Sequence, residues 1–182
     1  VSDNEINVKK RFSKIDLAEK YLKGRIDELR KKGYAEANID SLKLKSDTLF
    51  AFIHKGEKYA WDTLKFENIP TEVISEINAR NNKIKNMPFD ASFPRKIGEG
   101  IIGFYENTGY PFGRVSYDSI LFDDNRVTMK IKLEKGPLVK IDSISIKGDL
   151  KINPFFIYYT IGIKPGDVYN EKKIKTIGKN LN

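Results

Sequence analysis

Gly98-Glu99-Gly100-Ile101-Ile102-Gly103 reads G-x-G-x-x-G, and Asp118 follows at the distance where an acid would meet a ribose hydroxyl. In that chemistry the glycines let backbone approach a pyrophosphate at a helix N-terminus, directly after a buried strand. Here the preceding segment is Pro88-Phe89-Asp90-Ala91-Ser92-Phe93-Pro94. Proline removes a ladder donor, so this cannot be a central strand. Close helix–sheet packing accounts for the glycines better than a nucleotide does, at Gly98 above all.

The other candidates weaken in the same way. His54 is the single histidine, so no second imidazole exists to share a metal, and its place at the end of an apolar strand suits a structural role. Asp123 and Asp124 offer a cation too few converging oxygens and read, with Asn125, as a turn. Tyr59, Trp61 and Phe66 could form a stacking platform for single-stranded nucleic acid, but their strand positions point to a core. Cysteine is absent, which excludes thiolate nucleophiles, disulfides and Cys-type zinc sites. No serine has a nucleophile-elbow context. The sequence predicts no catalytic, cofactor-binding or metal-binding residue, and no enzyme.

The elements that carry these residues come from 182 residues that are 40% apolar and 32% charged, enough to build cores. The net charge is +8, divided as +4 over residues 1–56, zero over 57–135 and +4 over 136–182. Lysines interleaved with acids around a neutral middle describe solvated faces, not a nucleic-acid footprint. The longest nearly apolar stretch, Phe155–Ile163, is about half the roughly 18–20 residues that cross a bilayer. Beginning at Val1 and stopping at Asn182 inside a helical pattern, the chain reads as a piece of a longer protein.

Sliding the sequence on itself exposes a repeat. At an offset of 80, Lys55-Gly56 falls on Lys135-Gly136, Asp62 on Asp142, and Leu64 and Phe66 on Ile144 and Ile146. Farther along, Phe89-Asp90 meets Tyr169-Asn170, Ile97-Gly98 meets Ile177-Gly178, and Ile101 meets Leu181. At an offset of 76, Gly33-Tyr34-Ala35 meets Gly109-Tyr110-Pro111.

One unit is complete, 57–135. It opens with a strand over Lys58–Glu67, whose inward parity switches near Asp62 from Tyr59 and Trp61 to Leu64 and Phe66. A helix starts at Pro70 with Val73, Ile74 and Ile77 on one face. After a proline-bearing loop, Met87–Phe93, a second helix runs from Pro94 with Ile97, Ile101, Phe104 and Tyr105 inward, and Gly109 is placed to end it. Arg114–Phe122 and Arg126–Glu134 then form a hairpin, the second strand alternating Val127, Met129, Ile131 and Leu133 with polar residues.

This β-α-α-β-β order predicts an α+β fold, two helices on one face of a three-stranded mixed sheet. The unit at 136–182 repeats the first half, with Asn153-Pro154 starting a short helix, Gly162 ending it and Asn170 capping the next, and lacks both closing strands. The unit at 1–56 lacks its first strand and most of its first helix, unless Ile6–Arg11 serves as a short strand. It retains a basic helix from Ser13 with Ile15, Ala18, Leu22, Ile26 and Leu29 inward, and a hairpin through Asp47-Thr48.

Gly33-Tyr34 and Gly109-Tyr110 before the second strand, Lys135-Gly136 at the end of the last, the abutting Ile141-Asp142-Ser143-Ile144-Ser145-Ile146 and the run Gly166–Asn170 give this array its identity. It resembles tandem polypeptide-transport-associated (POTRA) domains of the surface-antigen family of outer-membrane barrel-assembly and translocation proteins. The resemblance covers the whole chain. It departs at Pro94, which stands where the next unit has Ile174 and makes that helix begin late.

The resemblance implies a periplasmic position, a C-terminal membrane β-barrel outside this sequence, and no cofactor. It implies unfolded outer-membrane or secreted polypeptides and accessory assembly proteins as partners, and no nucleic acid. It further implies that client chains pair with an edge strand, which maps to Arg114, Val115, Ser116, Tyr117, Asp118, Ser119, Ile120 and Leu121, and to Ala37–Leu44 in the first unit. Proline at Tyr117 or Ser119 is then expected to block that pairing. Two alternatives stand beside this reading: a POTRA-type interaction domain of a cell-division protein, disfavoured by tandem units, and a basic nucleic-acid-binding module, disfavoured by the neutral middle.

Overall fold

Gly33 and Gly109, both at φ +102°, follow the ends of two helices, and the carbonyl of each accepts a backbone N–H from the segment that opens the next repeat. The computed structural model describes residues 10–79, 81–147 and 153–180. In chain order its elements are helix α1 (Ile15–Lys31), strands β1 (Asn38–Lys45), β2 (Thr48–His54) and β3 (Ala60–Glu67), and helices α2 (Thr71–Glu76), α3 (Asn81–Ile84) and α4 (Phe93–Glu106). Strands β4 (Arg114–Asp123) and β5 (Arg126–Glu134) and helices α5 (Pro154–Ile161) and α6 (Glu171–Asn180) follow. The fold is α+β: β1 and β2 form an antiparallel hairpin, and β3, β5 and β4 form a mixed sheet in that order. The described residues divide into two groups, 10–65 with 81–93 and 119–130, and 66–79 with 94–118, 131–147 and 153–180.

In the first group, Ala18, Ile26 and Leu29 of α1 are buried. Ile26, Leu29 and Ala37 form a small core with Tyr34, Ile39 and Ile53 packed against it. Ile15, expected inward, is 51% exposed, because that core reaches only the second half of the helix. The hairpin turn is Ser46-Asp47, one residue earlier than expected, with Ser46 left-handed at φ +52°.

Gly33 has φ +102°, its N–H donates to Arg30 (3.0 Å) and the Tyr34 N–H donates to Leu29 (3.1 Å), which together close α1 as a Schellman motif. The Gly33 carbonyl then accepts the Tyr59 N–H at 2.8 Å, and the Tyr59 carbonyl accepts the Phe89 N–H at 2.9 Å. Trp61, fully buried, packs tilted against Phe89, with ring centroids 4.8 Å apart, and lies 6.1 Å from Phe93.

The second group repeats that joint. Gly109 has φ +102°, the Tyr110 N–H donates to Tyr105 (2.9 Å), the Gly109 carbonyl accepts the Val139 N–H (2.8 Å), and the Val139 carbonyl accepts the Tyr169 N–H (3.0 Å). Lys55 Nζ stands 4.2 Å over the Tyr34 ring in one joint, and Lys135 Nζ 3.8 Å over the Tyr110 ring in the other. Helices α2 and α5 end at left-handed Asn78 and Gly162. Asn153 caps α5 by accepting the Phe155 N–H at 3.0 Å, and Asn170 caps α6 by accepting the Lys173 N–H at 2.9 Å.

Three expectations need correction. Tyr105 is the buried aromatic of α4, whereas Phe104 is half-buried. Helix α3 was not foreseen: only Ile84 marks it, an apolar residue alone in a polar run that is nonetheless buried. That helical turn therefore precedes the proline-bearing loop at Met87–Phe93. Residues 137–147 form no strand, only a bridge between Lys140 and Val168, since no extended described segment lies beside them as β5 lies beside β3. The short strand considered at Ile6–Arg11, and Leu181 of the repeat, fall wholly or mostly outside the described residues.

Candidate functional site

Strand β4 is one of the two outer strands of the sheet, bonded to β5 on one side and, among the described residues, to no strand on the other, whereas the opposite edge at β3 exchanges hydrogen bonds with Asn86 and Met87 through Trp61. It forms a hairpin with β5 through Asp124-Asn125, both left-handed (φ +41° and +61°), the conformation of a type I′ turn. Asp123 and Asp124 thus end a strand and make a turn, and among the described residues no group of three or more metal-ligating side chains occurs.

The residues predicted for the edge, Arg114 to Leu121, all lie on β4. Val115 is half-buried and the rest are exposed. Val115 and Tyr117 lie against α4. A Cβ built on Gly98 would collide with the Tyr117 hydroxyl and fall 3.3 Å from Val115 Cγ1. Gly98 is therefore the contact that lets strand and helix approach, as the sequence predicted. Arg95, Gly98, Glu99, Ile102 and Glu106 of α4 face Arg114, Val115 and Tyr117 across an open groove of about 720 Å³. Burial raises the Tyr117 phenol above its ordinary range, and Glu99 adds to the shift.

Ser119 breaks the strand's regularity with φ +52°, left-handed backbone that a serine seldom adopts inside a strand. Simple alternation from Tyr117 would put residues 119, 121 and 123 on the helix-facing side. Beyond Ser119 it is Phe122 that finds ring partners, Tyr59 at 5.3 Å and Phe89 at 5.6 Å. The parity has slipped by one residue, as at a β-bulge. The edge available for regular pairing is consequently two short pieces, 114–118 and 120–123.

The competing sites fare differently. Gly98–Gly103 lies wholly inside α4, so no glycine loop precedes a helix N-terminus to cradle phosphate. His54 is exposed at the end of β2, paired across the hairpin with Asn38. Trp61 is buried and Tyr59 and Phe66 are half-buried, so they do not form an open stacking platform. Sequence reasoning missed Phe50 and Phe52, which are half exposed on β2. The offset of 80 holds the signal, since it sets them against Lys130 and Lys132. Among the described residues, no helix is long and apolar enough to cross a membrane.

No protein-family model and no curated protein matches this sequence. Among solved structures, the chain is similar to POTRA3-5 of BamA from Haemophilus influenzae, with a TM-score of 0.55 and 16% identity over 90% of this chain and 68% of that one. It also aligns with the N-terminal domain of Omp85 from Thermosynechococcus elongatus, at a TM-score of 0.39 and 17% identity over 83% of this chain and 65% of that one. POTRA1-3 of Omp85 from Anabaena aligns at 0.40 and 14% identity, over 90% and 70%. The first likeness shows the fold: this chain has the POTRA fold.

Proposed function

We propose that this chain is an array of POTRA units at 1–56, 57–135 and 136–182, forming a periplasmic polypeptide-docking module of an outer-membrane assembly or translocation factor. In this reading it receives client polypeptides and accessory proteins by β-augmentation along β4, and catalyses no reaction. The fold shared with BamA POTRA3-5 supports the setting. The observation that carries the mechanism is the edge position of β4, with its outer side free of any strand among the described residues and a groove beside it. Unpaired N–H and C=O groups accept an extended chain whatever its sequence, and the groove takes alternate side chains.

Arg114 to Leu121 is then the client-strand edge, with Arg114–Asp118 its regular part and Ser119 setting the limit of the register. A span of about five residues supplies few backbone hydrogen bonds against the entropy of ordering a free peptide, so binding is weak.

The test is an NMR titration of the full chain with an extended amphipathic peptide, and with the same peptide N-methylated at alternate residues. Amide shifts over 114–118 that vanish with the methylated peptide are the expected result. Shifts confined to 98–103 or to 59–61, with β4 silent, would sink the edge-strand mechanism.

A further inference from the structure

The hairpin β1–β2 carries different chemistry on its two faces. Ile39 and Ile53 are paired across the strands and packed toward α1. Strand alternation and the register put Lys43 opposite Phe50, Ser41 opposite Phe52 and Lys45 opposite Thr48 on the other face. Phe50 and Phe52 are 47% and 49% exposed, and Lys43 Nζ stands 5.3 Å from the Phe52 ring. Neither Lys43 nor Lys45 has an ion-pair partner among the described residues, and the paired positions on this face from Ser41 to Phe52 hold no carboxylate; Asp40, the extra residue at the register shift between Ile39 and Ser41, is exposed beside them.

The chain contains its own control. The matching joints, Lys55 over Tyr34 and Lys135 over Tyr110, fix the correspondence of β2 with β5 at 80 residues. Phe50 then corresponds to Lys130 and Phe52 to Lys132, and Lys132 is paired with Glu67 at 3.6 Å. The sheet face at β5 is therefore built with solvated, ion-paired side chains where β2 exposes two phenylalanines. Folding of such a sheet does not demand those rings.

We propose that the outer face of β1–β2 docks an acidic polypeptide segment, with an apolar side chain lodged against Phe50 and Phe52 and carboxylates on Lys43 and Lys45. The charge complementarity selects the partner: two unneutralised ammonium groups border the rings, so an anionic amphipathic segment gains at both. A nucleic-acid strand is the lesser fit, because two cations on one strand are too few to track a phosphate backbone. This surface is separate from β4, and either can fail without the other.

The experiment is an NMR titration of the full chain with a blocked peptide of alternating glutamate and leucine around a central phenylalanine. Parallel titrations use the same peptide with lysine for glutamate, a single-stranded oligothymidylate, and phosphatidylglycerol vesicles. The acidic peptide is expected to shift amides over 41–54. Phe52→Lys, which installs the residue of the corresponding β5 position, should weaken it by about tenfold or more. Lys43→Glu with Lys45→Glu, which leaves the rings in place, should do the same even if Phe52→Lys unfolds. Equal binding of the lysine peptide, unchanged affinity in the Lys43→Glu/Lys45→Glu variant, or acidic-peptide shifts only at 114–118 would overturn the proposal. So would oligothymidylate or vesicles shifting 41–54 while the acidic peptide does not.

Discussion

The Tyr117 phenol lies over Gly98, where a single added methyl group has no room. Alanine at Gly98 therefore gains about 1 kcal/mol of helix propensity and meets an overpacking cost of about 1–3 kcal/mol. Tyr117 is on an exposed edge strand and its ring can swing outward, which limits that cost. The expected outcome is Gly98→Ala near neutral or destabilising in the native background, and stabilising by up to about 1 kcal/mol when Tyr117→Ala is also present. Urea denaturation of the double-mutant cycle measures this, and identical effects in both backgrounds would refute the contact.

Ser119 makes a sharper prediction. Its φ of +52° cannot be reached by proline, whose ring holds φ near −65°. Ser119→Pro is thus expected to cost more than about 1 kcal/mol, so it cannot be used to block the edge selectively, contrary to what the sequence alone suggested. Ser119→Gly relieves the left-handed strain and should raise stability by up to about 1 kcal/mol. Thermal denaturation of the two variants should give melting-temperature shifts of opposite sign. A proline tolerated as well as glycine would mean the strand is regular there.

Ile131 has no exposed surface at the centre of β5. Ile131→Asp places a charge there without a partner, at an expected cost of roughly 3–5 kcal/mol. Lys132→Asp, one residue along and partly exposed, should cost well under half of that. Chemical denaturation of both variants compares them directly, and similar losses would show that the alternation in β5 does not separate core from solvent.

The repeat was legible because it rests on residues with few substitutes. Gly33 and Gly109 hold φ +102° where a Cβ would meet the Tyr59 carbonyl or the Leu138 and Val168 side chains at 2.5 Å, so glycine recurs. Lys55 and Lys135 recur with their tyrosines for the same reason. The alternation in β5 was legible because one face is buried throughout. The slip at Ser119 was not, because serine carries no mark of a left-handed residue and the side chains around it are exposed on both faces. Helix α3 was missed because one buried isoleucine gives no period. Phe50 and Phe52 were overlooked because alternating apolar residues on both faces of β2 read as a strand without showing which face is inside.

The hydroxyl of Tyr169 donates to the Glu171 carboxylate, which Lys175 approaches at 2.9 Å. The phenol is pushed up to about 12 by this hydrogen bond first and by burial second. The same bond and Lys175 hold the Glu171 carboxyl below its usual range. The two shifts act at opposite ends of the pH scale. Glu171 contributes stability above the ordinary carboxylate range, and the contribution is lost as pH falls through its depressed value. Tyr169 contributes below about 10, the ordinary tyrosine value, and the contribution is lost as pH rises through about 12. Ultraviolet titration of the full chain should show one tyrosine ionising last. Glu171→Gln should bring that tyrosine back toward 10, and Tyr169→Phe should remove the late step while moving the Glu171 carboxyl upward in a carbon-detected NMR titration. A late step that survives Tyr169→Phe would assign it to another tyrosine and dissolve the link between α6 and the residue that enters it.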